Sequence, residues 1–424
     1  MIDRRQLLLG GLSSAILLPS SLAEAATSKT LKPVGSPRIL KTNLPSGSGP
    51  VQIVSASSSF PRIARVELLS DGSRSRLALH NVGSSTLPMY DFMATLNGRI
   101  TAYFAFADGR RGFITQSTPK SGGCEFSYTL TSTKGVVASG YPIRLFTSPK
   151  NYVLNLAYPI GGDRFLYSLC LNDFGPASRA AAAPFTVNRI AAQQGKTLID
   201  GLNLFEFGTN GVFSEIGAYP LPNGDVMLGV ASHEKIGVWG DIQLAQLDKS
   251  GRLTRGGVLS GAVGQLGADA VFGTTTLGRK FCIGSASRLE KIGGVAHLHF
   301  QMVGAIEQKD GRWTRLSVPE APSTMGYTFR ACPLDLGRIL VVWGSTFDVN
   351  DDGVKMVYSL RAAIWNPDGS YYCKPVTIAQ LPSTGLIDDV RGTARSGFLV
   401  AGRLTRRGST DGAMDAFALP LTLE

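Results

Sequence analysis

Charged residues are few in this chain of 424: Asp, Glu, Lys and Arg together make 17 %, against 43 % hydrophobic residues. Histidine occurs 4 times and cysteine 5 times, at Cys124, Cys170, Cys282, Cys332 and Cys373. An odd number with no C-x-x-C spacing excludes a zinc ribbon and a complete disulfide framework. The cysteines stand in apolar runs such as "KFCIGS" and "FRACPL", so they read as buried thiols, with room for one pair to join in an oxidising compartment. The G-x-S-x-G elbow of serine hydrolases is missing. So are the glycine fingerprint of dinucleotide-binding domains and any haem, molybdopterin or iron-sulfur spacing. Basic stretches such as "GRLTRRG" are not interleaved with aromatics, which argues against nucleic acid as a partner. Beyond the first 26 residues no apolar run approaches the ~18 residues of a membrane-spanning helix. No catalytic residue is assigned on these grounds, and no cofactor other than calcium.

What is present begins with "DRRQLLLGG", Asp3 to Gly11, followed by a weakly apolar stretch and an Ala-x-Ala site at Ala23 and Ala25. A basic start, an apolar middle and a small-residue exit are the parts of an export signal. The paired Arg4 and Arg5 resemble the twin-arginine signal, which implies a protein exported in the folded state to the periplasm or beyond. Three segments follow: residues 1–26 as signal peptide, 27–50 as a flexible arm, and 51–424 as one domain, expected to be monomeric. The net charge of +11 survives cleavage, because Arg4 and Arg5 are balanced by Asp3 and Glu24. A basic envelope protein favours an anionic partner: a glycan, a lipid or an acidic protein.

The 50 glycines organise the rest. In "YPIGGDRFLYSLCL", "YPLPNGDVMLGVAS", "TTTLGRKFCIGSAS", "CPLDLGRILVVWGS" and "TARSGFLVAGRL" a strand, a glycine turn and a second apolar strand recur. The turn glycines Gly162, Gly224, Gly278, Gly337 and Gly397 are 62, 54, 59 and 60 residues apart, a period that means a propeller or array. A third strand and a turn such as "QKDG" or "NPDG" complete each unit, giving four short strands, the content of a propeller blade. Earlier in the chain Gly72 and Gly98, and again Gly109 and Gly135, are 26 residues apart, adding two looser units. The fold class is therefore all-β: a single β-propeller of seven four-stranded blades, with six or eight left open. The N-terminal "GPVQIVS" is expected to close the last blade, and the Ala-rich stretch 176–195 to form one short helical insertion broken or started by Pro184.

These units resemble the loosely defined delta-sixty propeller repeats, from about Asn151 to Glu424. The resemblance implies blades and no particular activity. The tryptophan-aspartate dipeptide, the kelch glycine pair, the sialidase Asp box and a quinone-docking tryptophan repeat are all absent.

Aligning the units separates two sets of charges. Arg74, Arg110, Arg111, Arg164, Arg279, Lys280 and Arg338 follow turn glycines and predict a basic rim on one face. Glu215, Asp269 and Asp388 lie nine residues before theirs, with Arg330 and Arg391 close by, and predict a charged mouth to the central channel where carboxylates could bind a cation or act as acids. His233 and Trp239, flanking Glu234 in "SHEKIGVWGD", are candidate ligand contacts on the loop face, whereas His297 and His299 read as structural. "DVNDDG" offers oxygen ligands at Asp348, Asn350 and Asp352 and the carbonyl of Val354 for calcium, although Ser359 stands where a calcium loop carries its bidentate Glu. The plainer reading of those residues is an exposed turn. The sequence thus predicts an exported propeller acting as a binding or scaffold module for an anionic partner, with a propeller hydrolase or lyase of an envelope glycan, ester or lactone as the alternative.

Overall fold

The computed structural model describes residues 29–45, 48–55, 62–82, 90–106, 108–160, 164–171, 186–191, 197–203, 212–221, 223–235, 238–248, 252–259, 271–292, 295–316, 328–347, 357–381, 383, 385–392, 397–406 and 413–424. They are all-β, with no α-helix among them. Two strands come first, β1 (Leu31–Pro33) and β2 (Arg38–Leu44). The next four form the first sheet: β3 (Val51–Ser55), β4 (Arg62–Leu68), β5 (Arg74–Asn81) and β6 (Tyr90–Asn97). The second holds β7 (Arg99–Ala105), β8 (Arg111–Ser117), β9 (Cys124–Thr131) and β10 (Ile143–Ser148). The third holds β11 (Tyr152–Ile160), β12 (Arg164–Leu171), β13 (Thr186–Ala191) and β14 (Thr197–Asn203). The fourth holds β15 (Val212–Pro220), β16 (Val226–Lys235), β17 (Val238–Leu247) and β18 (Leu253–Leu259). The fifth holds β19 (Val271–Thr274), β20 (Lys280–Ile292), β21 (Val295–Glu307) and β22 (Trp313–Arg315). The sixth holds β23 (Thr328–Pro333), β24 (Ile339–Phe347), β25 (Val357–Trp365) and β26 (Tyr371–Leu381). The seventh is β27 (Gly385–Gly392), β28 (Gly397–Thr405) and β29 (Met414–Leu423), with β1 and β2 both paired to β29.

Second strands are continuous apolar runs because both their faces are covered. In β24, Ile339, Leu340, Val341, Val342 and Trp343 are all fully buried. Alternate side chains serve different neighbours: Leu340 and Val342 join Val400 and Phe417 of the seventh sheet, while Ile339, Val341 and Trp343 join Phe281 and Ile283 of the fifth. The turns repeat as well. The N–H groups of Gly109, Gly224 and Gly278 each donate to the carbonyl three residues earlier, at Phe106, Leu221 and Thr275. All three glycines have φ near +80, the left-handed region that makes glycine the default there.

First strands lie side by side: β11 beside β7 and β15, β19 beside β15 and β23, β27 beside β23 and β3. One step is irregular. Between the first and second sheets β7 lies beside β4 and β5, and β6 and β7 are joined by Gly98 alone. Gly98 has φ +83, and a Cβ there would sit 2.8 Å from the Gln116 carbonyl oxygen.

Four sequence expectations are corrected. Gly72 turns between the second and third strands of its sheet and Gly98 follows the fourth, so this unit is offset by a strand from the others, and Gly72 lies at the opposite end from Gly109. "GPVQIVS" does not close the last sheet, because Val51–Ser55 is the first strand of its own sheet. The closing strands come from the segment expected to be a flexible arm: Leu31–Pro33 pairs with Leu421–Leu423, and Arg38 to Leu44 with Ala418 to Met414. An open edge on β29 demands partners, and the arm supplies them. In the stretch read as a helical insertion, Thr186–Ala191 is strand β13, paired with β12 and β14 and rich in β-branched residues, while 176–185 and 192–195 lie outside the described residues. Cys124, Cys282, Cys332 and Cys373 are buried free thiols, and burial pushes the Cys282 thiol up to about 12.

Candidate functional site

First strands are not smooth. β3, β7, β11, β15 and β27 each contain a register shift against the second strand of their sheet. In β27 the shift falls between Ile387 and Asp389, so Asp388 is the extra residue of a bulge, a device that re-aims side chains.

The two carboxylates made adjacent by this bulge both reach β3. Asp388 Oδ2 accepts the Val51 N–H at 3.0 Å, and Asp389 Oδ2 accepts the Ile53 N–H at 2.8 Å. Arg403 on β28 donates twice to Asp388, Nε to Oδ2 at 2.8 Å and Nη2 to Oδ1 at 2.9 Å, and its Nη1 donates to the Ser48 carbonyl at 2.9 Å. Arg330 on β23 donates through Nε to the Asp388 carbonyl at 3.0 Å and through Nη1 to the Phe329 carbonyl at 2.6 Å. Arg391 is held more loosely, with Nε 3.5 Å from Asp389 Oδ1 and a side chain 59 % exposed.

Arg391 also acts on Tyr158 of β11. Burial pushes the Tyr158 phenol up to about 12, and the Arg391 charge pulls it back down. Their registers agree. Tyr158 faces Leu166 and Arg391 faces Leu399, the third residue of the second strand in each sheet. Cys332 stands opposite Leu340, the second residue of β24, and burial raises its thiol against the pull of Arg391.

Of the sequence candidates, the structure therefore brings Arg330, Asp388 and Arg391 together. Arg330 and Asp388 lie in the first half of their strands, and Arg391 lies one residue from the end of β27, toward the first turn. The Asp388 carboxylate is occupied by Arg403 and Val51. The strand positions of Glu215, His233 and Trp239 are described, in β15, β16 and β17, but their side chains are not. Asp269 and the calcium candidates Asp348, Asn350, Asp352 and Val354 lie outside the described residues. Sequence reading missed Asp389, Arg403 and Tyr158. A signal for Tyr158 existed: "AYPI", "AYPL" and "ACPL" end β11, β15 and β23, and mark one register.

The basic rim is divided by local pairing. Arg110 is bound to Asp108, Lys280 to Glu307, and Arg74, at the other end, to Asp71. These arginines hold the Asp71 and Asp108 carboxyls below the ordinary range. Arg338 lies 3.6 Å over the Tyr372 ring, and Arg279 donates to the Pro367 carbonyl at 3.3 Å.

Burial raises the Asp389 carboxyl, opposed by Arg391, by the N–H groups of Ile53 and Val390, and by Arg330. A carboxyl raised in the folded state contributes stability that is fully present below its unfolded pKa and lost as pH rises through its folded one. Urea midpoints measured from acid to neutral pH should thus show the stability of Asp389→Asn gaining on that of the parent as pH rises. A variant falling further behind with rising pH would contradict the assignment.

No protein-family model matches the sequence, and neither does any curated protein. Solved structures do. An ulvan lyase described as a new family of polysaccharide lyase, bound to -[GlcA(1-4)Rha3S]-, superposes with TM-score 0.53 at 8 % identity over 89 % of this chain and 94 % of that one. A protein of unknown function from Dyadobacter fermentans gives 0.47 at 13 % identity, over 93 % and 99 % of the two chains. The β-propeller domain of the Trilobed protease from Pyrococcus furiosus gives 0.43 at 9 % identity, over 90 % and 94 %. The likeness is one of fold, to β-propeller structures.

Proposed function

We propose that this chain is an exported β-propeller of seven four-stranded blades that holds an acidic polysaccharide at its centre and acts on it. The observation that carries the reading is the Arg391 guanidinium, 59 % exposed and only loosely held by Asp389, on the strand where Arg330 donates to the Asp388 carbonyl; its charge also lowers the Tyr158 phenol of β11. An exposed guanidinium next to a neutral phenol suits a sugar that bears a carboxylate or sulfate and offers hydroxyls. The +11 charge of the chain and the fold shared with a lyase bound to a glucuronate-containing oligosaccharide support the same class of ligand.

The chemistry that fits is elimination rather than hydrolysis. Glycoside hydrolysis needs two carboxyl groups free to give and take a proton, and Asp388 and Asp389 are both occupied by N–H and guanidinium donors. Elimination beside a uronate needs a base to take the proton next to the carboxylate, a cation to take up charge building on that carboxylate and an acid to protonate the departing oxygen as the carbon–oxygen bond breaks. Arg391 supplies the cation, and Tyr158 both ends of the proton's path: its phenolate, favoured by the Arg391 charge, takes the proton, and the phenol so formed passes it to the departing oxygen.

The test uses polygalacturonate and ulvan, with a neutral arabinan as control. Arg391→Ala should weaken binding of the acidic polymers on the order of tenfold or more and leave the neutral one unaffected. Tyr158→Phe should bind normally but release no unsaturated uronate ends, read by their ultraviolet absorbance. Binding unchanged in Arg391→Ala rejects the site. Binding without product from the parent protein reduces the reading to a binding module, and saturated reducing ends would establish hydrolysis instead.

A further inference from the structure

Seven large apolar side chains are strongly exposed among the described residues, and four of them stand on turn tips at one end of the molecule: Val136 at 66 %, Val137 at 41 %, Leu277 at 56 % and Leu336 at 67 %. Scattered apolar side chains on a surface need no explanation, but a set confined to one end does. Val136 and Val137 lie between β9 and β10, Leu277 between β19 and β20, and Leu336 between β23 and β24.

Contacts between neighbouring turns put these tips at the same end. The Thr276 hydroxyl donates to the Leu334 carbonyl at 2.9 Å and accepts the Gly337 N–H at 3.1 Å, locking the Leu277 turn to the Leu336 turn. A Cβ on Gly392, the last residue of β27, would meet Leu334 at 3.9 Å. The rings of Phe104, late in β7, and Phe165, early in β12, stack at 5.1 Å, bringing the second sheet's turns to the same end.

Cations accompany the tips. Asp108 and Asp310 are taken up by Arg110 and Arg312 within their own turns. Lys134, Lys309, Arg279 and Arg338 have no carboxylate partner among the described residues. Leu277, Arg279 and Lys309 line one groove of about 510 Å³. Leu336 is held at φ +61, a conformation that disfavours leucine and suits Asn or Gly, so the chain keeps an apolar side chain outward where a polar one would sit more easily.

We propose that this end is a docking surface for an anionic lipid leaflet. Tips from three separate sheets, divided by polar turns, fit a plane better than the single contiguous patch that a protein partner would bury. Apolar side chains beside cations that no carboxylate neutralises are the combination that binds the headgroup region, through buried apolar area and attraction to anionic lipid together. This surface is independent of the glycan reading, since none of its residues touches Arg391 or Tyr158.

The experiment is co-sedimentation of the full chain with vesicles of phosphatidylglycerol and phosphatidylethanolamine, against vesicles of phosphatidylcholine alone, with soluble polyglutamate as competitor. The parent protein should sediment with the anionic vesicles only. Leu277→Ser with Leu336→Asn should weaken this on the order of tenfold, and Lys134→Glu with Lys309→Glu by a similar factor that added salt abolishes. Asn suits the backbone at 336, and an unchanged near-ultraviolet circular dichroism spectrum in both double variants assigns any loss to the surface. No sedimentation with anionic vesicles, equal sedimentation with phosphatidylcholine, or binding indifferent to the leucine changes would overturn the proposal. Full competition by polyglutamate would do the same in favour of an acidic protein.

Discussion

Replacing Glu67 by alanine is expected to lower the unfolding free energy by about 3–5 kcal/mol, the cost of leaving a buried charge unpaired. The charge left behind is Arg65, whose side chain is 1 % exposed and which pairs with Glu67, itself 5 % exposed. Arg76, on the next strand, donates to the other Glu67 oxygen through Nε at 3.2 Å. Arg65 and Glu67 alternate along β4 with Ile63, which sits in a cluster with Leu399 and Ala401 of β28. The ion pair therefore lies on the face that the first sheet turns toward the seventh. Removing both charges together, as Arg65→Met with Glu67→Leu, should recover most of the loss, because what costs is the orphaned guanidinium rather than the absence of a pair. Urea unfolding of the single and double variants decides the matter, with Asp310→Ala as a surface control. A Glu67→Ala midpoint no lower than that of the control would show that Arg65 finds solvent or another partner.

The fold was legible where the instructions are local. A glycine that must adopt positive φ and the apolar second strand after it are neighbours in sequence, so Gly109, Gly224, Gly278 and Gly337 announced their turns. The first sheet misled because the spacing of Gly72 and Gly98 imitates that of the other units while their turns fall one strand out of phase. The closing strands were hidden for a different reason. "LKP" and "RILKTNL" carry little pattern of their own and become strands because β29 has an edge to satisfy, a demand set almost 400 residues away. At the site, Arg330, Asp388 and Arg391 could be aligned by counting back from turns. Counting could not reveal the bulge that makes the adjacent Asp388 and Asp389 both serve β3, nor that Arg403 occupies the carboxylate singled out as a ligand.

Asp388→Ala is expected to be comparably damaging, by about 3–5 kcal/mol, and to act at one place. Its side chain is 4 % exposed and that of Arg403 14 %, so truncation strands a largely buried guanidinium that keeps, among the described residues, the Ser48 carbonyl as its partner. It also removes the acceptor of the Val51 N–H. Among the described residues no strand of the first sheet is hydrogen-bonded into the seventh, so these side-chain bonds do between the first and last sheets what a β-ladder does within each. Loss should therefore be felt first as local opening along the seam, in the low-energy openings that amide exchange detects before global unfolding. The Val51 amide should lose protection most, Ile53 less because Asp389 still holds it, and amides of β24 and β25 only as far as global stability falls. Asp388→Asn keeps an acceptor for Val51 but not the charge facing Arg403, and should fall between the parent and Asp388→Ala. If Val51 exchanges no faster in Asp388→Ala than in the parent while β24 amides do, the carboxylate supports the core generally and the seam is held by something else.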